Sequence, residues 1–112
     1  MFEDTYTTPA PATVPDPVRL RTQAERVTSA LKLLTHPDRL LLLCTLARQE
    51  MCVGELEEAL DIRQPTLSQQ LGVLRTEGAV RTRREGKHIF YSVADPALVE
   101  ILAVLYRIYC KE

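Results

Sequence analysis

The chain has 112 residues, 46% of them hydrophobic and 26% charged, with a net charge of −1 and three cysteines. That length supplies one small domain of ordinary globular composition. A membrane-spanning helix is excluded, since no stretch approaches ~18 uninterrupted apolar residues; the odd cysteine count excludes a secreted disulfide framework, and a cytoplasmic location with the cysteines as thiols is expected.

Residues 1–17, MFEDTYTTPAPATVPDP, carry four of the seven prolines and no lysine or arginine. They lack the periodic apolar pattern that a core needs and read as a flexible arm, leaving 18–112 as the folded domain. From Val18 onward Leu20, Ala24, Val27, Leu31 and Leu34 recur at spacings of four and three, the stripe of an amphipathic helix. Thr35-His36-Pro37 should end it, because proline pushes the residue before it out of the helical region, and Pro37 can open the next helix.

That second helix, PDRLLLLCTLAR, should run to Arg48 and is apolar on most sides, as expected of a central helix. Its Cys44, judged by its neighbours alone, is a small core residue. A short third helix places Val53, Leu56 and Leu60 on one side, and a fourth, from about Gln64-Pro65, turns Leu67, Leu71 and Leu74 inward and stops at Gly78. The period then changes to two. VRTRR and HIFYSV, separated by EGK, read as a hairpin. Asp95 and Pro96 suit the cap and first residue of a last helix, and its ALVEILAVLYRIYC offers more apolar surface than a small monomer covers. A homodimer is therefore expected.

Two short helices joined by a tight DIRQ segment and followed by a hairpin make a winged helix-turn-helix, mainly α with a small β-hairpin, whose second paired helix enters the DNA major groove. Gln64, Thr66, Ser68, Gln69 and Gln70 would supply donors and acceptors for base edges and phosphates. Residues 75–88 hold Arg75, Arg81, Arg83, Arg84 and Lys87 against Glu77 and Glu85, five positive charges less two negative, a local excess of three. Phosphate attraction acts over ~8–10 Å, so the local excess outweighs the net charge and double-stranded operator DNA is the expected partner. Polar helix faces and basic hairpins also occur as plain solvated surface, and a basic wing can dock an acidic protein, so a protein-interaction module is the alternative. There is no CxxC pair, no glycine-rich phosphate loop and no nucleophile paired with histidine; neither an enzyme nor a cofactor is expected.

The stretch from Leu31 through the hairpin, with HPDR, QPTLSQQLGVLRTEG and REGKHIFY, resembles the ArsR/SmtB family of winged-helix bacterial repressors. The resemblance implies a homodimer through the first and last helices, operator binding at rest and release by a small inducer. Arg63 departs from the serine or threonine usual before the recognition helix, which leaves that helix's cap open. Metal-sensing members need ligands that are missing: Gly54 stands where an arsenic-type site has its second cysteine beyond Cys52, and Ala97 where a zinc-type site has its first histidine after Asp95. No metal site is expected, and a thiophilic metal answering to Cys44, Cys52 or Cys110 is the runner-up. The placement of Cys44 and Cys110 is similar to the dithiol, BigR-like branch of the family, which senses reactive sulfur species. That likeness implies that Cys44 and Cys110 are the sensing pair, that persulfide, polysulfide or an oxidant links them to release DNA, and that Cys52 is a bystander.

Overall fold

A computed structural model describes residues 16–110, so the proline-rich arm, apart from Asp16 and Pro17, lies outside the described residues. Along the chain come α1 (Pro17–Leu33), α2 (Pro37–Arg48), β1 (Met51–Cys52), α3 (Val53–Leu60), α4 (Thr66–Thr76), β2 (Val80–Glu85), β3 (His88–Val93) and α5 (Pro96–Leu105), which continues into one π-helical turn, Tyr106–Cys110. This is the expected winged helix-turn-helix.

One local device opens three of the helices: a side chain that accepts a backbone N–H, followed by proline, whose missing N–H costs nothing at the first helical position. The Asp16 carboxylate accepts from Val18 N–H at 3.1 Å and Arg19 N–H at 3.4 Å, which starts α1 at Pro17, one residue before its expected start. His36 Nδ1 accepts from Asp38 N–H at 3.2 Å ahead of α2, and Asp95 accepts from Ala97 N–H at 2.9 Å ahead of α5.

The core forms where α2, α3, α4 and α5 converge over the inner face of the sheet. Leu42, Leu43, Leu56, Leu67, Leu71 and Leu74 are its most deeply buried large side chains, each worth ~1.5–3 kcal/mol on burial. Leu46, Ile62, Leu98 and Leu102 complete it from the same helices and the α3–α4 connection, with Ala79, Val80 and Val93 from the sheet side. α1 buries none of its residues; Val18, Leu20, Val27 and Leu31 stay exposed along the expected stripe.

The sheet exceeds the expected hairpin by one strand. β1 pairs antiparallel with β3 (Met51 opposite Tyr91, Cys52 opposite Phe90), giving the order β1-β3-β2. Two residues are too few to display alternation, so the pattern alone could not reveal this strand. β2 and β3 turn through Gly86-Lys87, where the φ of +62° at Gly86 is the left-handed value that a two-residue hairpin loop beginning with glycine requires.

Candidate functional site

α3 and α4 form the helix-turn-helix pair, and burial of Leu67, Leu71 and Leu74 fixes which face of α4 turns outward. Ser68, Gln69 and Arg75 are exposed on that helix, while Thr66 and Gln70 are half-buried. Gln70 is held in place: its Oε1 accepts from Arg39 Nη1 at 3.4 Å, and Arg39 also donates to the carbonyls of Leu33 at 3.1 Å and Lys32 at 3.0 Å. Arg39 thereby ties the end of α1 to the recognition helix. The cap position left open by sequence is Pro65, which offers no side-chain acceptor; Gln64, one residue earlier, takes over a first-turn donor, its Oε1 accepting from Ser68 N–H at 3.1 Å. Arg63 instead turns to Asp61, 3.7 Å away and almost fully exposed.

The cations of α4 and the wing divide between two conditions. Arg75, Arg81, Arg84 and Lys87 are exposed, and among the described residues none of them lies in an ion pair. Arg83 is engaged on every side. Its Nε and Nη2 fork onto Glu50 at 3.2 and 2.8 Å, its Nη1 donates to Glu85 at 2.9 Å, and its guanidinium carbon lies 4.9 Å from the centre of the Phe90 ring. The hydrogen bonds from Arg83, aided by the charges of Arg83 and Arg81, hold the Glu50 carboxyl below the ordinary glutamate range.

On the opposite side of α2, Cys44 is half-buried and lines a cavity of about 250 Å³ between α2 and α5. Ala47, Val99, Leu102 and Ala103 make the walls largely apolar, and Arg48 lies over the Tyr106 ring, 4.5 Å from its centre. Burial pushes the Cys44 thiol up, and the charge of Cys110 pushes it further. Cys110 itself is exposed at the end of the π-helical turn, and all three cysteines are thiols. The helix that forms one wall of the Cys44 cavity is thus the one that leads on to Cys110. Cys52 lies elsewhere, opposite Phe90 in the sheet, with its backbone N–H donating to Glu55 Oε1 at 3.0 Å. Among the described residues no three His, Cys, Asp or Glu side chains converge as metal ligands would.

Arg39, Arg48, Glu50 and Tyr106 were not legible as site residues. Each acts on a partner distant in sequence, and no local periodicity or motif marks such a pairing.

Comparison with known proteins places this geometry in context. Residues 36–82 match the profile described as bacterial regulatory protein, arsR family. The biofilm growth-associated repressor of Agrobacterium fabrum is 58% identical over 88 residues, covering 79% of this chain and 75% of that protein. The transcriptional activator HlyU of Vibrio cholerae is 38% identical over 81 residues, covering 72% of this chain and 75% of that one. The crystal structure of the transcriptional repressor BigR from Xylella fastidiosa superposes with a TM-score of 0.78 at 46% identity, covering 88% of this chain and all of that chain.

Proposed function

The chain belongs to the ArsR family of bacterial regulatory proteins, and from that premise we propose that it is a dimeric cytoplasmic repressor whose operator binding is relieved when reactive sulfur species or oxidants link Cys44 to Cys110. The observation that supports the proposal is placement: Cys44 lines the cavity between α2 and α5, and α5 runs on from that cavity through its π-helical turn to Cys110, whose charge adds to burial in raising the Cys44 pKa.

The chemistry closes without a cofactor. The exposed Cys110 thiolate attacks the outer sulfur of a persulfide RSSH, taking that sulfur as Cys110–S–SH and expelling RS⁻. Cys44 sulfur then attacks the Cys110 sulfur, expelling HS⁻, while the proton lost from Cys44 leaves with the expelled sulfur as H₂S. Two thiols are oxidised to one disulfide, and RSSH is reduced to RSH and H₂S. The new bond would join α2, which packs against the recognition helix α4, to the C-terminal end of α5.

α5 and its π-helical turn expose Val99, Val104, Ile108 and Tyr109, and α1 exposes Leu20, Val27 and Leu31. A second copy is the occupant that these apolar stripes suit, with the two recognition helices then reading half-sites about one DNA turn apart. Gln64, Thr66, Ser68, Gln69 and Gln70 would face or support the groove, with Arg75, Arg81, Arg83, Arg84 and Lys87 as the basic surround. A link that shifts α5 against α2 changes the half-site spacing, and a small change suffices to lose the fit.

The test is operator binding followed by fluorescence anisotropy before and after polysulfide. The wild type should be released; Cys44→Ala and Cys110→Ala should each bind and stay bound. If Cys52→Ala alone resists release, the pair is misassigned.

A further inference from the structure

We infer that Glu50 is a positioning residue for DNA recognition: through Arg83 and the Phe90 ring it fixes the wing against the corner between α2 and β1, and Arg83 is not itself a phosphate contact. The inference rests on the reading of the wing as part of the DNA surface and refines which of its cations meet the backbone.

Directly paired residues of antiparallel strands share a face, so the register places Cys52, Phe90 and Arg83 in one row across all three strands, on the outer face of the sheet. Glu50 lies two residues before Cys52 and so projects to the same side. Arg83 therefore reaches from β2 across the β3 ring, 4.9 Å beneath its guanidinium carbon, to close a two-toothed fork on Glu50, 33 residues earlier in the chain. A planar fork over an aromatic ring is the arrangement that arginine makes and lysine cannot.

The charges argue against a phosphate here. Glu50 and Glu85 both touch Arg83, so the three side chains together carry one net negative charge. An incoming phosphate meets that sum, whereas Arg81, Arg84 and Lys87 present exposed cations that no carboxylate holds among the described residues. An exposed ion pair adds little to global stability. A two-stranded ribbon is marginally stable by itself, however, and a fixed brace on its outer face decides where its tip points.

The experiment is titration of the full chain with operator and with a non-specific duplex at several salt concentrations, with a thermal melt of each variant as a control for folding. Glu50→Gln should weaken operator binding about 2- to 30-fold although it removes a negative charge, and should lower the ratio of operator to non-specific affinity. Arg83→Ala and Arg83→Lys should do the same, the double variant Glu50→Gln, Arg83→Ala should be no worse than either single one, and all should keep the wild-type salt slope. Arg81→Ala should reduce that slope by ~0.9 per subunit contact. The inference is overturned if Glu50→Gln tightens binding to both duplexes, if Arg83→Lys binds as wild type, or if Arg83→Ala loses slope as Arg81→Ala does. A slope untouched by the triple variant Arg81→Ala, Arg84→Ala, Lys87→Ala removes the wing from the DNA and overturns the reading beneath it as well.

Discussion

Burial in α2 raises the pKa of Cys44, and the charge of Cys110, carried past the end of α5 and 66 positions away in the chain, raises it further. Burial is the larger cause and the Cys110 charge the second, and both disfavour the Cys44 thiolate. The thiolate is the nucleophile, so the half-buried Cys44 should react more slowly than the exposed Cys110, which in the proposed reaction makes Cys110 the entry point.

Limited alkylation read by mass spectrometry should therefore label Cys110 before Cys44 at pH 7. The Cys44 rate should climb with pH to a midpoint above the ~8.5 of an ordinary thiol. In Cys110→Ala the second cause is gone, and the Cys44 midpoint should move down. Labelling of Cys44 first at neutral pH would contradict this order.

Gln64→Ala should cost ~0.5–2 kcal/mol of stability in urea unfolding, the usual effect of losing a side-chain acceptor in the first turn of a helix. The reason is the 3.1 Å bond that its Oε1 accepts from Ser68 N–H. Gln64→Glu keeps the acceptor and should retain most of the stability; equal loss in both variants would show that the cap is not the cause.

How far these features could be read in advance depends on how local each signal is. The turns of α2, α3 and α4 follow from leucine spacing, the start of α2 from Pro37, and the capped start of α5 from Asp95-Pro96, whereas the His36 cap emerged only in the structure. β1 escaped because two residues carry no period, and the change of winding at Tyr106 because nothing in LYRIYC, apolar but for Arg107, sets it apart from the helix before it. Cys44 and Cys110 were paired by resemblance alone. Arg83 was grouped with the other wing cations because composition counts charge and does not show that Glu50, far back in the chain, has already engaged it.

The pH profile of stability offers a separate measure of Glu50. Its folded pKa is depressed by Arg83, so its contribution is fully present above the ordinary glutamate value of ~4.3 and is lost only as pH falls through the lower folded value. Because the pair is exposed that contribution is small, and the sharper reading is a carboxyl NMR titration: the Glu50 midpoint should lie below the ordinary ~4.3 in the wild type and move back toward it in Arg83→Ala. A midpoint unmoved by Arg83→Ala would mean the carboxylate is not held by the guanidinium.

Cys44, Arg48, Glu50 and Cys52 fall within nine consecutive residues, at the junction where α2 gives way to β1. Cys44 and Arg48 belong to the cavity, Glu50 and Cys52 to the outer face of the sheet. The two duties are adjacent yet do not share a side chain. Under the proposed sensing role, a lineage can retune what it detects by exchanging the cavity residues Cys44, Ala47 and Arg48 while keeping the core residue Leu46 and the Glu50 brace, whereas an insertion or deletion anywhere in that short span would disturb both at once.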